Sequence, residues 1–209
     1  GGVVNVVPRK GRRDGFHGYV DSDIVDTGLR VEGPIKKGSF ILSGRRSYID
    51  AILPLALPDD AGVNFTLAPR YWDYQALFDY PVSGGDFTAR AFGSDDRTVL
   101  LFAGANDAQA DARDRFEQAV YFHRADLSYE KRSGPWEFLL TPSYLHSKFD
   151  VAASDAFKFN LTFNTISTRA EIARRFSRRL KVRVGTESIA TQFKIDVTVP
   201  GESTGGASD

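Results

Sequence analysis

The chain of 209 residues contains no cysteine, no methionine and only three histidines. Without cysteine it forms no disulfide and no thiolate metal site, which leaves its redox compartment open. The histidines His17, His123 and His146 are far apart, and no two of them have the spacing of metal ligands. We therefore expect no metal site, and we interpret each histidine as a surface or interfacial side chain.

Charge of one sign is not in excess. Lysine and arginine together number 27, aspartate and glutamate also number 27, and the formal net charge is zero. Non-specific nucleic-acid binding draws its affinity from a basic surface that neutralises phosphates. The balance of charges therefore argues against nucleic acid as a partner.

Long hydrophobic runs are also missing, because no stretch approaches the roughly 20 apolar residues of a membrane helix. The N-terminus lacks the charged start and apolar core of a secretory signal. Together with the absence of methionine, this predicts a processed or truncated chain. Membrane-spanning β-strands stay open as an interpretation, since they carry only about 9–11 residues of alternating pattern.

The sequence does contain apolar residues at every second position, which is the period of a β-strand. The clearest example runs from Trp72 to Tyr80, where aromatic and apolar residues alternate with polar ones. The same design recurs in five other segments, near residues 29–35, 119–129, 136–141, 157–163 and 180–184. The sequence therefore predicts an all-β protein.

The strands are predicted to be long and to follow one another through hairpins. About nine are expected, near residues 16–23, 27–35, 39–53, 64–80, 86–102, 116–130, 135–150, 156–175 and 179–199. Short turns are indicated within 34–38, 81–85 and 131–134 and around Ser177, and longer polar connections at 53–64, 103–115 and 200–209. Residues 107–119 have the propensity for a short helix.

Two architectures fit this pattern. Long strands with aromatic faces, joined by alternating short turns and long loops, are typical of an outer-membrane β-barrel. A soluble β-sandwich or lipocalin-like barrel also has alternating strands. Strands longer than the usual five or six residues, and opposed charges such as Arg30 and Glu32 on polar faces, favour a barrel with a wet lumen. In that barrel the aromatic faces are expected to point outward and to anchor the wall in lipid.

No group of residues indicates catalysis, so we predict no enzyme and no cofactor. Neither SGRRS at 43–47 nor GSDD at 93–96 matches a nucleophile elbow or a phosphate-binding loop. Of the pair at 45–46 we expect one arginine in the lumen and one near the rim, and we place the aspartates at 95–96 in a solvated turn or strand end. A basic cluster is expected to surround the turn before the last strand: Arg174, Arg175, Arg178 and Arg179.

The first residues of the chain, GGVVNVV, stand directly before this series of hairpins. They resemble the end of the plug domain in TonB-dependent outer-membrane receptors, where a Gly-Gly-[Val/Ile]-[Val/Ile]-Asn-[Val/Ile] segment precedes the first barrel strand. Gly1, Gly2 and Asn5 match the junction between plug and barrel. The resemblance implies that residues 1–12 are the end of the plug domain and its linker. It implies that residues 13–209 are the N-terminal part of an antiparallel transmembrane β-barrel, incomplete at about nine of roughly 22 strands.

The same resemblance implies a function, which is TonB-energised uptake of a scarce ligand such as a metal chelate, cobalamin or a carbohydrate. The implied location is the outer membrane of a Gram-negative bacterium. The implied partners are a TonB-type energy transducer acting through a missing N-terminal segment, outer-membrane lipid and lipopolysaccharide, and a small-molecule ligand. Two alternatives stay open: a non-transporting binding or structural β-barrel of the envelope, and a soluble β-sandwich binding module.

Overall fold

Nine antiparallel strands form one open sheet in which each strand pairs with its neighbours along the chain. The computed structural model describes residues 8–49, 52, 70–102, 114–153 and 157–199. The strands are β1 (His17–Ser22), β2 (Asp26–Ile35), β3 (Gly38–Ser47), β4 (Arg70–Val82), β5 (Gly85–Phe102), β6 (Asp114–Ser133), β7 (Trp136–Ala153), β8 (Phe157–Arg175) and β9 (Lys181–Thr198). The predicted all-β class and the hairpin order are confirmed. No helix in the described part of the chain is long and apolar enough to cross a membrane.

Most strands begin and end within a few residues of the predicted positions. β3 differs, since it ends at Ser47 and not near residue 53. β4 begins at Arg70, and residues 64–69 lie outside the described part of the chain. The helical propensity of 107–119 is overridden from Asp114 onward, because pairing with β5 satisfies the backbone groups of this segment in a strand; residues 107–113 lie outside the described residues.

Tight turns join the strands along one edge of the sheet, which we call the turn edge. In the turn between β4 and β5, Ser83 and Gly84 both have positive φ, 51° and 75°. This is the mark of a type I′ turn, whose twist matches that of the flanking strands. Gly134 has a φ of 55° and is followed by Pro135 in the turn between β6 and β7. A type II′ turn requires such a positive φ at its first central position. The short turns are therefore where the sequence predicts them. The opposite edge is called the loop edge.

The register assigns every strand residue to one of two faces. Side chains alternate along a strand, and the pairing runs from β1 to β9 without a shift. We call the inner face the one that carries Glu32, Asp79 and Asp126. The outer face carries Trp72 and Tyr129.

One proline tests this register. Opposite Pro142 and Thr141, the ladder between β6 and β7 lacks two pairs, because proline has no N–H to donate. Ser128 Oγ and Thr141 Oγ1 lie 3.1 Å apart and hydrogen-bond across the gap on the inner face. The pairing resumes in the same register on both sides of the gap, so no side chain changes face.

Burial in this sheet is inverted relative to a soluble domain. Among the described residues, the most buried polar side chains are Glu32, Ser39, Ser47, Asp79 and Asp126, and the buried apolar ones are Ile41, Leu77, Ala119 and Ala173. Large apolar side chains of the outer face are exposed, such as Ile166 at 61% and Val184 at 64%. No second sheet, which a β-sandwich needs, covers either face within the described part of the chain.

The aromatic stripe of β8 lies on the other side of the sheet from that of β4. Trp72 and Phe78 are outer residues, whereas the register places Phe159 and Phe163 on the inner face. The expectation that all aromatic faces point the same way is therefore wrong for β8. Toward the loop edge of β7 to β9 the outer face is polar instead, with ion pairs such as Lys148–Asp150 at 2.8 Å.

Gly93 allows two rings to meet over β5. A Cβ at Gly93 would lie 2.6 Å from the carbonyl oxygen of Phe122, 2.7 Å from His123 Nδ1 and 2.8 Å from Tyr74 Cε1. We expect Gly93→Ala to lower the free energy of unfolding by about 1–3 kcal/mol, because the added methyl group forces these groups apart. The measurement is a urea titration in detergent solution, followed by tryptophan fluorescence.

Gly44→Ala is the matched control, since the nearest atom to its Cβ would be the carbonyl oxygen of Asp73 at 3.7 Å. This variant is expected to stay within about 0.5 kcal/mol of the parent chain. Equal losses of stability in the two variants would contradict the role assigned to Gly93.

Candidate functional site on the inner face

Residues 8–14, which we call the strap, lie against the inner face near the turn edge. Arg9 donates to both carboxylate oxygens of Glu32, at 2.7 and 2.6 Å, and the backbone N–H of Arg12 donates to Oε2 at 3.1 Å. Glu32 is 2% exposed, and Arg30 approaches it to 3.3 Å from the same strand. Bidentate, charge-assisted bonds of this kind are strong and directional. One buried carboxylate thus holds the strap on the sheet.

Close backbone contact adds to this attachment. A Cβ at Gly11 would lie 2.6 Å from the carbonyl oxygen of Phe40 and 3.1 Å from Ser39 Cβ, so only glycine lets the strap approach β3 this closely. Lys10 Nζ lies 3.6 Å from Asp86 Oδ2 on β5. The strap therefore touches the sheet at several points beyond Glu32.

The strap ends in a local ion pair. Arg12 Nε donates to Asp14 Oδ1 at 2.9 Å. This hydrogen bond from Arg12 holds the pKa of the Asp14 carboxyl well below its usual range. Asp14 consequently stays charged, and its pair with Arg12 persists, across the neutral and mildly acidic range.

Two acidic side chains in the middle of the inner face are buried and hydrogen-bonded. Asp79 is 4% exposed and accepts a hydrogen bond from Thr88 Oγ1 at 2.7 Å. Asp126 is 7% exposed and accepts one from Arg124 Nε at 2.9 Å. Buried carboxylates need such partners because burial removes their hydration. The middle of the inner face therefore contains buried carboxylates whose oxygens accept hydrogen bonds from neighbouring side chains.

An open cleft of about 810 Å³ lies on this face, lined by Pro8 of the strap and by β4 to β9. Its lining includes both charged and apolar side chains, among them Arg90, Phe92, Phe122, Arg124, Asp126 and Leu145. The volume falls in the range of about 300–1,000 Å³ found for small-molecule sites. No cluster of three or more histidine, aspartate or glutamate side chains in the described part of the chain could hold a metal ion. The cleft therefore has the size and the mixed polar and apolar lining that are typical of a small-molecule site.

Two of the three histidines meet across strands, which the spacing in the sequence did not reveal. The register brings one row of outer-face residues together on β4 to β9, and we call it the girdle row: Tyr74, Gly93, His123, His146, Asn164 and Gln192. Tyr74 Oη lies 3.1 Å from His123 Nδ1, and His146 Nδ1 lies 2.8 Å from Asn164 Oδ1. His17 is remote from this row, on the inner face of β1, with Nε2 at 3.2 Å from Asp14 Oδ1. Each of the two histidines in the girdle row therefore has a hydrogen-bonded partner on another strand.

The consecutive charged pairs of the sequence point to opposite faces. Arg45 lies on the inner face, where its Nη2 donates to Asp73 at 2.9 Å, and Arg46 lies on the outer face. Asp95 and Asp96 are separated in the same way and lie within β5. Their expected position in a turn or strand end is wrong, because the pairing of β5 continues to Phe102. Neighbours that point apart cannot act as paired carboxylates.

The basic cluster surrounds the turn between β8 and β9, as the sequence predicts. Ser177 Oγ accepts hydrogen bonds from the backbone N–H groups of Arg179 and Leu180, at 3.2 and 3.0 Å. Arg174 lies over the ring of Trp136, 4.9 Å from its centroid. This arginine therefore packs on an aromatic ring of the outer face.

The predicted junction residues Gly1, Gly2 and Asn5 lie outside the described residues. Comparison of the chain with protein-family models, with curated proteins and with solved structures found no match.

The contact between Arg9 and Glu32 predicts how the strap is released. We expect Glu32→Gln to weaken attachment of the strap by about 1–2 kcal/mol, because the charge that orients the half-exposed Arg9 is lost. Cleavage by trypsin after Arg9, Lys10 or Arg12 should then be about 5–30-fold faster, since it follows the opened population. The measurement is limited proteolysis of the folded chain, read by mass spectrometry.

Glu130→Gln is the control, because this inner-face carboxylate is half exposed and pairs only with Arg132, at 3.0 Å, among the described residues. It should leave cleavage of the strap unchanged. If the Glu32 variant is cut no faster than the Glu130 variant, Glu32 does not hold the strap.

Proposed function

We propose that the chain forms part of the wall of a TonB-dependent receptor in the outer membrane of a Gram-negative bacterium. The complete receptor would take up a scarce small molecule, and the strap would connect this wall to a plug. The observation that carries the proposal is the inverted burial, with carboxylates and serines buried on the inner face and large apolar side chains exposed on the outer face. Contiguous apolar surfaces of this kind mark membrane or protein contacts.

The apolar part of the outer face is nearly as tall as the apolar band of an outer-membrane barrel. On β6 it extends from Tyr121 to Tyr129, and on β4 from Trp72 to Tyr80. Eight residues of strand span about 27 Å, and a tilt of about 40° reduces this to about 20 Å of depth, near the apolar band of about 25 Å in outer-membrane barrels. This agreement supports insertion in lipid.

Aromatic residues stand at both limits of this band. Trp72 stacks on Tyr74 toward the loop edge, with ring centroids 6.0 Å apart, and Trp136 stacks on Phe138 at the turn edge, with centroids 6.3 Å apart. Tryptophan and tyrosine are enriched where a membrane meets water, because their rings are apolar and carry one polar group. Near the loop edge, the girdle row continues this limit of the band with His123 on β6, His146 on β7 and Asn164 on β8.

The strap supports the link to a plug. It lies on the polar inner face and reaches the cleft, so a domain joined to residue 8 would start inside the wall. In the proposed receptor an energy transducer of the TonB type would act on that domain through a segment upstream of this chain. Lipid and lipopolysaccharide would contact the outer face.

Two tryptophans make insertion measurable. The chain contains only Trp72 and Trp136, so Trp136→Phe and Trp72→Phe each leave one reporter. We expect strong quenching of both reporters in vesicles of brominated phosphatidylcholine, greater with bromine at acyl carbons 6 and 7 than at 11 and 12, because both lie near the limits of the band.

The control is Phe122→Trp in the chain that lacks both native tryptophans, since this residue lines the inner cleft. Its fluorescence should be quenched weakly. Equal quenching of inner and outer reporters, or none at all, would rule out the proposed orientation in the membrane.

Uptake is tested with the complete receptor. Its gene is expected to encode a plug upstream of this segment and the remaining strands of a barrel of about 22 downstream. Cells that express it should accumulate one of three labelled probes, ferric citrate, cyanocobalamin or maltose, and a proton uncoupler should abolish the accumulation. Uptake of no probe counts against these three ligands, and uptake that resists the uncoupler counts against energised transport.

A further inference from the structure

The inner cleft contains one arginine whose bonding is incomplete. Arg90 lines the cleft on β5, and its Nε is buried without a hydrogen-bond partner among the described residues. Asp126 is its register partner on β6, but this carboxylate accepts its hydrogen bond from Arg124 instead. A buried guanidinium N–H without an acceptor is costly, because it has lost its water.

The other cations of the cleft have acidic partners. Arg124 donates to Asp126 at 2.9 Å, and Arg169 Nε donates to Glu171 at 2.6 Å. Within the described residues, Arg90 is therefore the cleft cation without an acidic partner, and it is the one available to an external anion. Its planar guanidinium suits a carboxylate, which accepts two parallel N–H bonds.

Apolar side chains stand next to this cation. Phe92 and Phe122 form an edge-to-face pair with centroids 6.1 Å apart and an interplanar angle of 80°. Leu145 continues this apolar part of the cleft on β7. Toward the loop edge the inner face becomes more apolar, since the register places Phe149 and Phe163 beyond the cleft.

We infer that the cleft binds a small amphipathic anion, with its carboxylate on Arg90 and its aromatic or aliphatic body against Phe92, Phe122 and Leu145. This inference rests on the proposed function and names the class of ligand that the receptor takes. This class differs from neutral carbohydrates, which have no negative charge to pair with the guanidinium of Arg90.

The test compares two probes of similar size and apolar surface. The chain is placed in lipid nanodiscs and titrated calorimetrically with 2-naphthoate, an anion, and with 2-naphthamide, which is neutral; empty nanodiscs give the contribution of the lipid. We expect 2-naphthoate to bind at least tenfold more tightly. Arg90→Gln should remove this preference, because the amide cannot provide a positive charge.

Two further variants keep the result interpretable. Arg132→Gln removes an inner-face arginine that is exposed near the turn edge and paired with Glu130 at 3.0 Å, and it should leave the preference intact. Arg90→Lys retains the positive charge but lacks the planar guanidinium, so its preference for 2-naphthoate should be smaller than that of the parent chain. This variant provides the test if Arg90→Gln does not fold. Equal binding of the two probes, no binding, or a preference that survives Arg90→Gln in the folded chain would overturn the inference.

The quenching experiment separates this inference from the proposed function. A chain that inserts in brominated lipid but ignores 2-naphthoate retains its proposed place in the membrane and loses the proposed class of ligand. A chain that binds 2-naphthoate through Arg90 without inserting in lipid keeps the cleft but is not a membrane receptor.

Discussion

The continuous register of the nine-stranded ladder is the constraint on which the rest of this structure depends. Side chains alternate along each strand, so a slip of one residue would move a whole strand's side chains to the other face. No slip occurs between β1 and β9, even where Pro142 interrupts the ladder. Through this register Glu32 lies under the strap, Arg90 in the cleft, and Tyr74 beside His123.

Polarity in this sheet varies along the strands as well as across the faces. Toward the turn edge of β7 to β9 the outer face is apolar and the inner face is charged. For example, Phe138 lies on the outer face and Glu171 on the inner face. Toward the loop edge the order is reversed, with Lys148 outside and Phe163 inside. A single layer with this pattern has different neighbours on its two faces and at its two edges. The same change places apolar side chains next to the charged part of the cleft.

The sequence was sufficient to predict strands and turns, because both depend on local preferences. Alternation from Trp72 to Tyr80 and the residue types at Ser83–Gly84 and Gly134–Pro135 act over a few positions. The candidate site was not predictable in this way. Arg9 and Glu32 are 23 residues apart, and no local pattern says that the chain folds back over β2. The junction residues came from a resemblance and lie outside the described part of the chain.

By itself the sequence determined the all-β class, the order of the hairpins and the residues that share a face within each strand. Only the tertiary structure decided how the faces of different strands combine, and so that the phenylalanines of β8 oppose the aromatic stripe of β4. The physical reason is that the alternating pattern does not determine which face of the sheet its apolar residues occupy, since a strand turned over has the same period. Pairing between distant strands removes this ambiguity. It also brings His123 beside His146 and leaves Arg90 without an acidic partner in the described part of the chain.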